Sequence, residues 1–203
     1  MNAPSQQKSP FIIGLTGAMG MGKSTTARLF AEEGIPVFDA DRAVHDIYAN
    51  PMAVQRDIEA LFPGVMVEGR VSRAAMAAQM TPQKLERLEA LIHPVVLGMR
   101  DRFVEHHAAA PIVLFDIPLL LETGVAVDAL VVASAPAPVQ RERVLDRPGM
   151  TEAKFVALSA RQLTDAQKRA QAHYVVMTDK GLDHAREQVK MILADIRSKL
   201  AHA

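Results

Sequence analysis

The run Phe11-Ile12-Ile13-Gly14-Leu15-Thr16-Gly17-Ala18-Met19-Gly20-Met21-Gly22-Lys23-Ser24 decides how the rest of the chain is to be read. Phe11 to Leu15 is short and continuously apolar, as suits a strand covered on both faces. Gly17 to Ser24 match G-x-x-x-x-G-K-[ST] at every fixed position. Lys23 to Glu33 then offers good helix formers and stops at Gly34, a residue favoured just past a helix because it takes positive φ without steric cost. Ile35-Pro36-Val37-Phe38 gives a second short strand, with Pro36 tolerable near its start. The opening is therefore β-α-β.

The chemistry of that turn follows from its residue types. Glycines let the backbone curl so that successive N–H groups point at one anion, and the positive end of the helix adds its partial charge there. Lys23 can reach the β- and γ-phosphates of a nucleotide, and the Ser24 hydroxyl can ligate Mg²⁺. An ordinary glycine-rich turn with a solvated lysine is the competing account, but the fixed residues rarely coincide between a strand and a helix. Nucleoside triphosphate binding is the expectation, through Gly17, Ala18, Met19, Gly20, Met21, Gly22, Lys23, Ser24 and Thr25.

Working outward, Ile112-Val113-Leu114-Phe115 and Ala129-Leu130-Val131-Val132-Ala133 are two further buried-type strands, and Tyr174-Val175-Val176-Met177 is a weaker fifth. Strands separated by helical stretches predict a mainly parallel sheet with helices on both faces. A last helix starts near Asp183, with Ala185, Val189, Ile192, Leu193, Ile196 and Leu200 on one face. About 70 residues between the second and third strands exceed any simple crossover and read as a helical insertion, with Met66 to Ser72 as a turn-rich break. Val139 to Gln171, rich in Arg, Gln and Lys and carrying Pro148-Gly149, reads as a second one.

Composition sets the bounds. The chain has 203 residues, 49% hydrophobic, with 23 basic and 23 acidic side chains and no cysteine. A core is affordable, while a disulfide framework, cysteine-ligated zinc and thiol catalysis are excluded. Zero net charge removes the electrostatic reason to expect nucleic acid or a membrane as partner. The polar start, residues 1–9, reads as a flexible tail without the apolar core of a secretory signal, and no run of about 18 apolar residues occurs. A cytoplasmic protein is expected.

The acceptor side is best sought at Phe38-Asp39-Ala40-Asp41, at the end of the second strand, where ligands bind open parallel sheets. A carboxylate there could take a hydroxyl proton or hold Mg²⁺ through water. Alternation puts Asp39 and Asp41 on one side if the strand continues; alternatively, one of them caps the helix that follows. The guanine-specificity motif N-K-x-D is absent, and so is a strand-Asp-Glu element of the motor ATPase type. Together these favour a small-molecule kinase over a switch GTPase or a motor. A kinase for a nucleoside monophosphate or shikimate, and a nucleotide-binding regulatory module, stay open on the residues alone.

The sequence also resembles a known family. Gly14-Leu15-Thr16-Gly17 running into the phosphate loop, followed by Gly34-Ile35-Pro36-Val37-Phe38-Asp39-Ala40-Asp41, is similar to dephospho-CoA kinase. Gly69-Arg70-Val71-Ser72-Arg73 resembles its G-x-[IL]-x-R turn, Leu88 to Pro94 its L-E-x-I-x-H-P, and Asp116 to Glu122 its D-x-P-L-L-F-E. Gln140, Arg143 and Arg147 resemble Q-x-x-R-x-x-x-R, and Gln162 with Lys168 the later Q-x5-K. Departures are Ala18 for a second Gly, Leu121 for Phe, and His173 and Thr178 for Asp and Asn on what the resemblance marks as the adenine side.

The resemblance implies a P-loop NTPase fold of the α/β class: three layers, α/β/α, around a five-stranded parallel sheet. A helical acceptor-binding insertion (about 42–110) and a lid (about 139–171) belong to one kinase domain over 10–203. It implies transfer of the ATP γ-phosphate to the 3′-hydroxyl of dephospho-CoA, with ATP and Mg²⁺ as cofactors and a monomer expected, an oligomer being open. Asp41 would act as base, Asp39 and His93 would bind the acceptor, and Ser24 with Asp116 would serve the metal. Arg143 and Arg147, four apart on one helix face, would close over the triphosphate with Lys23. By spacing alone that face could equally be a solvated one, since Glu142 and Asp146 are interleaved. His93-Pro94 could likewise end a helix. His106 and His107 face about 100° apart and make a poor metal pair.

Overall fold

The computed structural model describes residues 9–160 and 162–202. The expected tail lies outside the described residues, apart from Ser9. The chain divides into two compact units, one formed by residues up to Phe38 and from His107 on, the other by Asp39–His106.

The first unit is built on a five-stranded parallel sheet. In chain order its strands are β1 (Phe11–Thr16), β2 (Val37–Asp39), β5 (Ile112–Asp116), β6 (Ala129–Ser134) and β7 (Tyr174–Met177), and their spatial order is β2-β5-β1-β6-β7. β1 runs parallel to both neighbours, with Leu15 opposite Asp116 on one side and Thr16 opposite Val132 on the other. The order reverses on either side of β1, so the crevice beyond its carboxyl end is the switch point where ligands bind in such sheets. The weak fifth strand is present: β7 pairs with β6. Its outer edge is covered by Gln188, whose amide accepts from Met177 N (2.9 Å) and donates to Met177 O (3.0 Å), as a neighbouring peptide would.

Strand alternation sorts the two faces. Ile13, Leu15, Ala129, Val131 and Ala133 meet α1 (Lys23–Glu32) and α10 (Leu182–Ala201) on one side. Leu130 and Val132 meet α6 (Leu120–Thr123) and the loop after it on the other. Gly14 points to this second face, where an added Cβ would stand 2.5 Å from Leu120 Cδ2 and 2.9 Å from Val127 Cγ1, so a larger residue would have to push these side chains aside. Of the residues expected on the inner face of α10, Leu200 is 37% exposed because the helix runs past the sheet there.

α7 (Ala137–Leu145), α8 (Glu152–Ser159) and α9 (Asp165–Gln171) occupy the segment expected to form a lid. α7 and α9 each sink residues into the unit, Val144 and Lys168, whereas α8 buries none.

The second unit holds α2 (Ala40–Ala49), α3 (Val54–Leu61), α4 (Arg73–Ala78) and α5 (Pro82–His106) around its own core, which includes Ile47, Ile58, Phe62, Val65, Val71 and Ile92. The turn-rich break is a hairpin, β3 (Met66–Val67) with β4 (Arg70–Val71), closed through Glu68 (φ 49) and Gly69 (φ 75). Both turn residues at positive φ make a turn whose twist suits a two-residue hairpin, and Gly69 supplies one of them without strain. Pro94 does not end the helix: α5 continues through it.

Candidate active site

The phosphate loop connects β1 to α1. Gly20 (φ 81) and Gly22 (φ 83) turn the backbone back on itself, and Met21 N donates to Ala18 O (3.1 Å) across the turn. α1 starts without a side-chain cap and without an acidic residue in its first turn. Helix starts ordinarily recruit such groups to satisfy their open N–H groups. Here the N–H groups and the dipole are left for an anion, as a phosphate site requires. At the base of the loop Lys23 Nζ donates to Asp116 Oδ1 at 2.7 Å, and the two side chains are only 12% and 4% exposed.

The loop is gripped from outside. Gln140 Nε2 donates to Met19 O (2.8 Å), and Met19 N donates to Gln162 Oε1 (3.3 Å), so both polar backbone groups at the crest are held by side chains far away in sequence. α7 lies so close to Gly20 that an added Cβ would be 2.6 Å from Val144 Cγ2. Thr178, just after β7, accepts from Arg143 Nη1 (2.9 Å) and reaches Met21 O (3.0 Å), while its own carbonyl accepts from Arg143 Nη2 (2.7 Å). These contacts enclose a cavity of about 470 Å³ lined by Gly20, Thr25, Arg143, Arg147, Thr178 and Asp179, among others.

Several expectations are sharpened. Both expected arginines reach this cavity, but Arg143 is committed to Thr178, whereas the Arg147 guanidinium has no hydrogen-bond or ion-pair partner among the described residues. Thr178 does line the nucleotide side. His173 does not: its Nδ1 accepts from Leu130 N (3.0 Å) near the start of β6, at the end of the sheet opposite the loop. There an imidazole nitrogen accepts from a backbone N–H, a task that a carboxylate oxygen can also perform.

A buried ion pair fixes the segment that carries Gln162. Lys168 is wholly buried and donates to Glu122 Oε1 (2.8 Å), which also accepts from Leu163 N (3.0 Å). Burial by itself pushes the Glu122 carboxyl up, but the Lys168 ammonium and the backbone N–H donors outweigh it and hold its pKa below the usual carboxylate value. Spacing gave no signal for this pair or for the two glutamine contacts, since partners 46, 121 and 143 positions apart meet only through the sheet.

In the second unit the carboxylate pair is divided. The strand stops at Asp39, so alternation does not extend to Asp41. Asp39 is the N-cap of α2, its Oδ1 accepting from Arg42 N (2.9 Å). Asp41 sits in the first turn of α2, exposed, with no hydrogen-bond or ion-pair partner among the described residues. His93 is exposed in the middle of α5 and makes no polar contact among the described residues. No group of three or more His, Asp or Glu side chains that could cage a metal exists among the described residues. Ser24 and Asp116 carry hard oxygen donors of the kind that could hold Mg²⁺ together with phosphates and water.

A parallel sheet with a glycine-rich anion loop at its switch point, a buried Lys–Asp pair beneath that loop and an arginine-lined cavity beside it defines a phosphate-loop nucleotide-binding protein. The sequence model of dephospho-CoA kinase matches residues 11–184, and the chain belongs to that family. A dephospho-CoA kinase of Mesorhizobium japonicum is 47% identical over 93% of this chain and 98% of its own length, and one of Cereibacter sphaeroides is 50% identical over 93% and 96%. A crystal structure from Thermus thermophilus superposes with a TM-score of 0.77 at 33% identity, covering 93% of this chain and 98% of the other. A dephospho-CoA kinase from Campylobacter jejuni, 16% identical, shares the fold with a TM-score of 0.65, covering 93% and 98%. Among the described residues no helix is long and apolar enough to cross a membrane.

Proposed function

We propose that this chain is an ATP-dependent kinase that transfers the γ-phosphoryl group of ATP to the 3′-hydroxyl of dephospho-CoA, releasing ADP and coenzyme A. The observation that carries the reading is the Lys23–Asp116 contact at 2.7 Å beneath an uncapped helix start, in a chain that belongs to this family along nearly its whole length.

The 3′-oxygen attacks the γ-phosphorus, its proton passes to Asp41, and the bond from that phosphorus to the β–γ bridging oxygen breaks. Phosphoryl transfer of this kind has a loose transition state, so placement and charge neutralisation do most of the catalysis. Asp41 is the free carboxylate of its pair and can accept a proton, while Asp39 keeps the start of α2 in place. Lys23, aligned by Asp116, meets the β- and γ-oxygens. Arg147, whose guanidinium has no ion-pair partner among the described residues, offsets charge on the transferring phosphoryl group, and Arg143 holds the loop and Thr178 together. Ser24 and Asp116 would hold Mg²⁺, which when bound would neutralise phosphate charge. His93 belongs to the acceptor side. The expected lid narrows to α8 and the turn before it, since α7 and α9 are anchored through Val144 and Lys168 and Gln162 is tied to the loop. The cysteine-free composition suits a cytosolic setting, and balanced charge gives no electrostatic reason to expect nucleic-acid or membrane partners.

ADP release from Mg-ATP should depend on dephospho-CoA and not on AMP, adenosine or shikimate, with coenzyme A confirmed by mass. Asp41→Asn should keep ATP affinity and lose turnover by at least about a hundredfold, the usual worth of a positioned base. Acceptor-independent release, or near-normal turnover in the variant, would refute the reaction or the base respectively.

A further inference from the structure

The second unit presents a cationic side chain, Arg73, to which the reaction above assigns no role. The hairpin turn at Glu68-Gly69 returns the chain, Val71 is buried, Ser72 N donates to Val65 O (2.8 Å), and Ser72 Oγ caps α4 through Ala75 N (3.3 Å). These fixings deliver Arg73 at the first position of α4. Its guanidinium lies over the ring of Tyr48, 5.3 Å from the centroid, and Nη2 donates to His45 Nδ1 (3.4 Å). Arginine can only donate, so His45 must present an unprotonated Nδ1 and carry its proton on Nε2, leaving that N–H free to donate elsewhere.

This arginine is exposed yet held by an aromatic face, and like Arg147 it has no carboxylate partner among the described residues. Its two contacts lie on the helix that carries the candidate base. Asp41, His45 and Tyr48 occur at i, i+4 and i+7 and share one face of α2. One helical turn, about 6 Å of rise, separates Asp41 from His45. That span is comparable to the reach from a ribose 3′-oxygen to the phosphate on its 5′-carbon.

We propose that Arg73, placed by Tyr48 and assisted by His45 Nε2–H, binds the 5′-diphosphate of the acceptor nucleotide and so sets which acceptors present their 3′-hydroxyl to Asp41. The inference rests on the proposed reaction and on Asp41 as its base. A guanidinium pre-oriented on an aromatic ring can grip a diphosphate in fork geometry, which a lysine could not match.

The test is steady-state kinetics of the full chain with dephospho-CoA and ATP each varied, for wild type, Arg73→Ala, Arg73→Gln and Arg73→Lys. A lost charge-assisted contact should raise KM for dephospho-CoA about tenfold to a hundredfold in the Ala and Gln variants. Lys should fall between them and wild type, while kcat and KM for ATP stay within about threefold. An unchanged KM for dephospho-CoA overturns the site, and so does a fall in kcat alone. Melting temperatures within about 2 °C exclude unfolding as the cause, because Arg73 is exposed. If wild type turns over dephospho-CoA and the variants match it, only this inference fails; if wild type does not, the proposed reaction fails and takes the inference with it.

Discussion

Replacing Glu122 by Gln tests the buried strut behind the phosphate loop with almost no change of shape. The amide retains an oxygen for Lys168 and Leu163 N, so only the charge is lost. Lys168 is 0% exposed and Glu122 21%, so the ammonium would remain in the interior without a counter-charge. Breaking a buried pair from one side costs about 3–5 kcal/mol. The partial exposure of Glu122 places the expectation near the lower end, about 3 kcal/mol. For a chain of this size 1 kcal/mol moves the melting temperature by about 2–4 °C, so a fall of roughly 6–12 °C is expected.

Urea unfolding of wild type, Glu122→Gln, Lys168→Met and the double variant gives both the magnitude and its origin. The double variant should be less destabilised than Glu122→Gln alone, since removing both charges removes the burial penalty too. Acid adds a signature. The Glu122 pKa is lowered in the folded state, so its contribution is complete above the ordinary carboxylate value of about 4.3 and is lost as pH falls through the lowered value. Wild type should therefore lose an increment of stability below about pH 4 that the Gln variant lacks. A loss under about 1 kcal/mol at neutral pH, or a double variant worse than the sum of the singles, would refute the strut.

Three further outcomes follow from the same contacts. Gly20→Ala forces a side chain onto φ 81 and to within 2.6 Å of Val144 Cγ2, so ATP affinity should fall at least about tenfold, with a loss of stability of about 2 kcal/mol; unaltered nucleotide titration would contradict this account of the loop. Thr178→Val keeps the volume but removes the hydroxyl shared by Arg143 and Met21 O, and should raise KM for ATP several-fold while leaving KM for dephospho-CoA alone. Asp39→Ala should cost about 1 kcal/mol in thermal unfolding as a lost N-cap, with turnover reduced far less than by Asp41→Asn; equal losses of turnover would return Asp39 to the chemistry.

The sequence by itself determined the strand–loop–helix around Gly17 to Ser24, the apolar strands and the amphipathic last helix, because each of these is encoded by neighbours within a few residues. Glycine spacing, apolar runs and helical periodicity are local properties that survive without knowledge of the partner surface. Family resemblance named Gln140, Gln162, Glu122, Lys168 and Arg73 as motif positions but attached no contacts to them. Tertiary structure decided what those residues do: the two glutamines meet at Met19, Glu122 closes on Lys168, and Arg73 reaches His45 and Tyr48. It also separated Asp39 from Asp41. Strand alternation and helix capping compete at Asp39, and the point where β2 stops is set by the sheet it pairs with rather than by its own three residues. In the same way His173 and Thr178 lie only five positions apart, yet a strand carries them to opposite ends of the sheet, one to cap Leu130 and the other to the nucleotide cavity. Which end each would reach depended on the direction of β7 within the sheet, a property of long-range pairing that no local pattern contains.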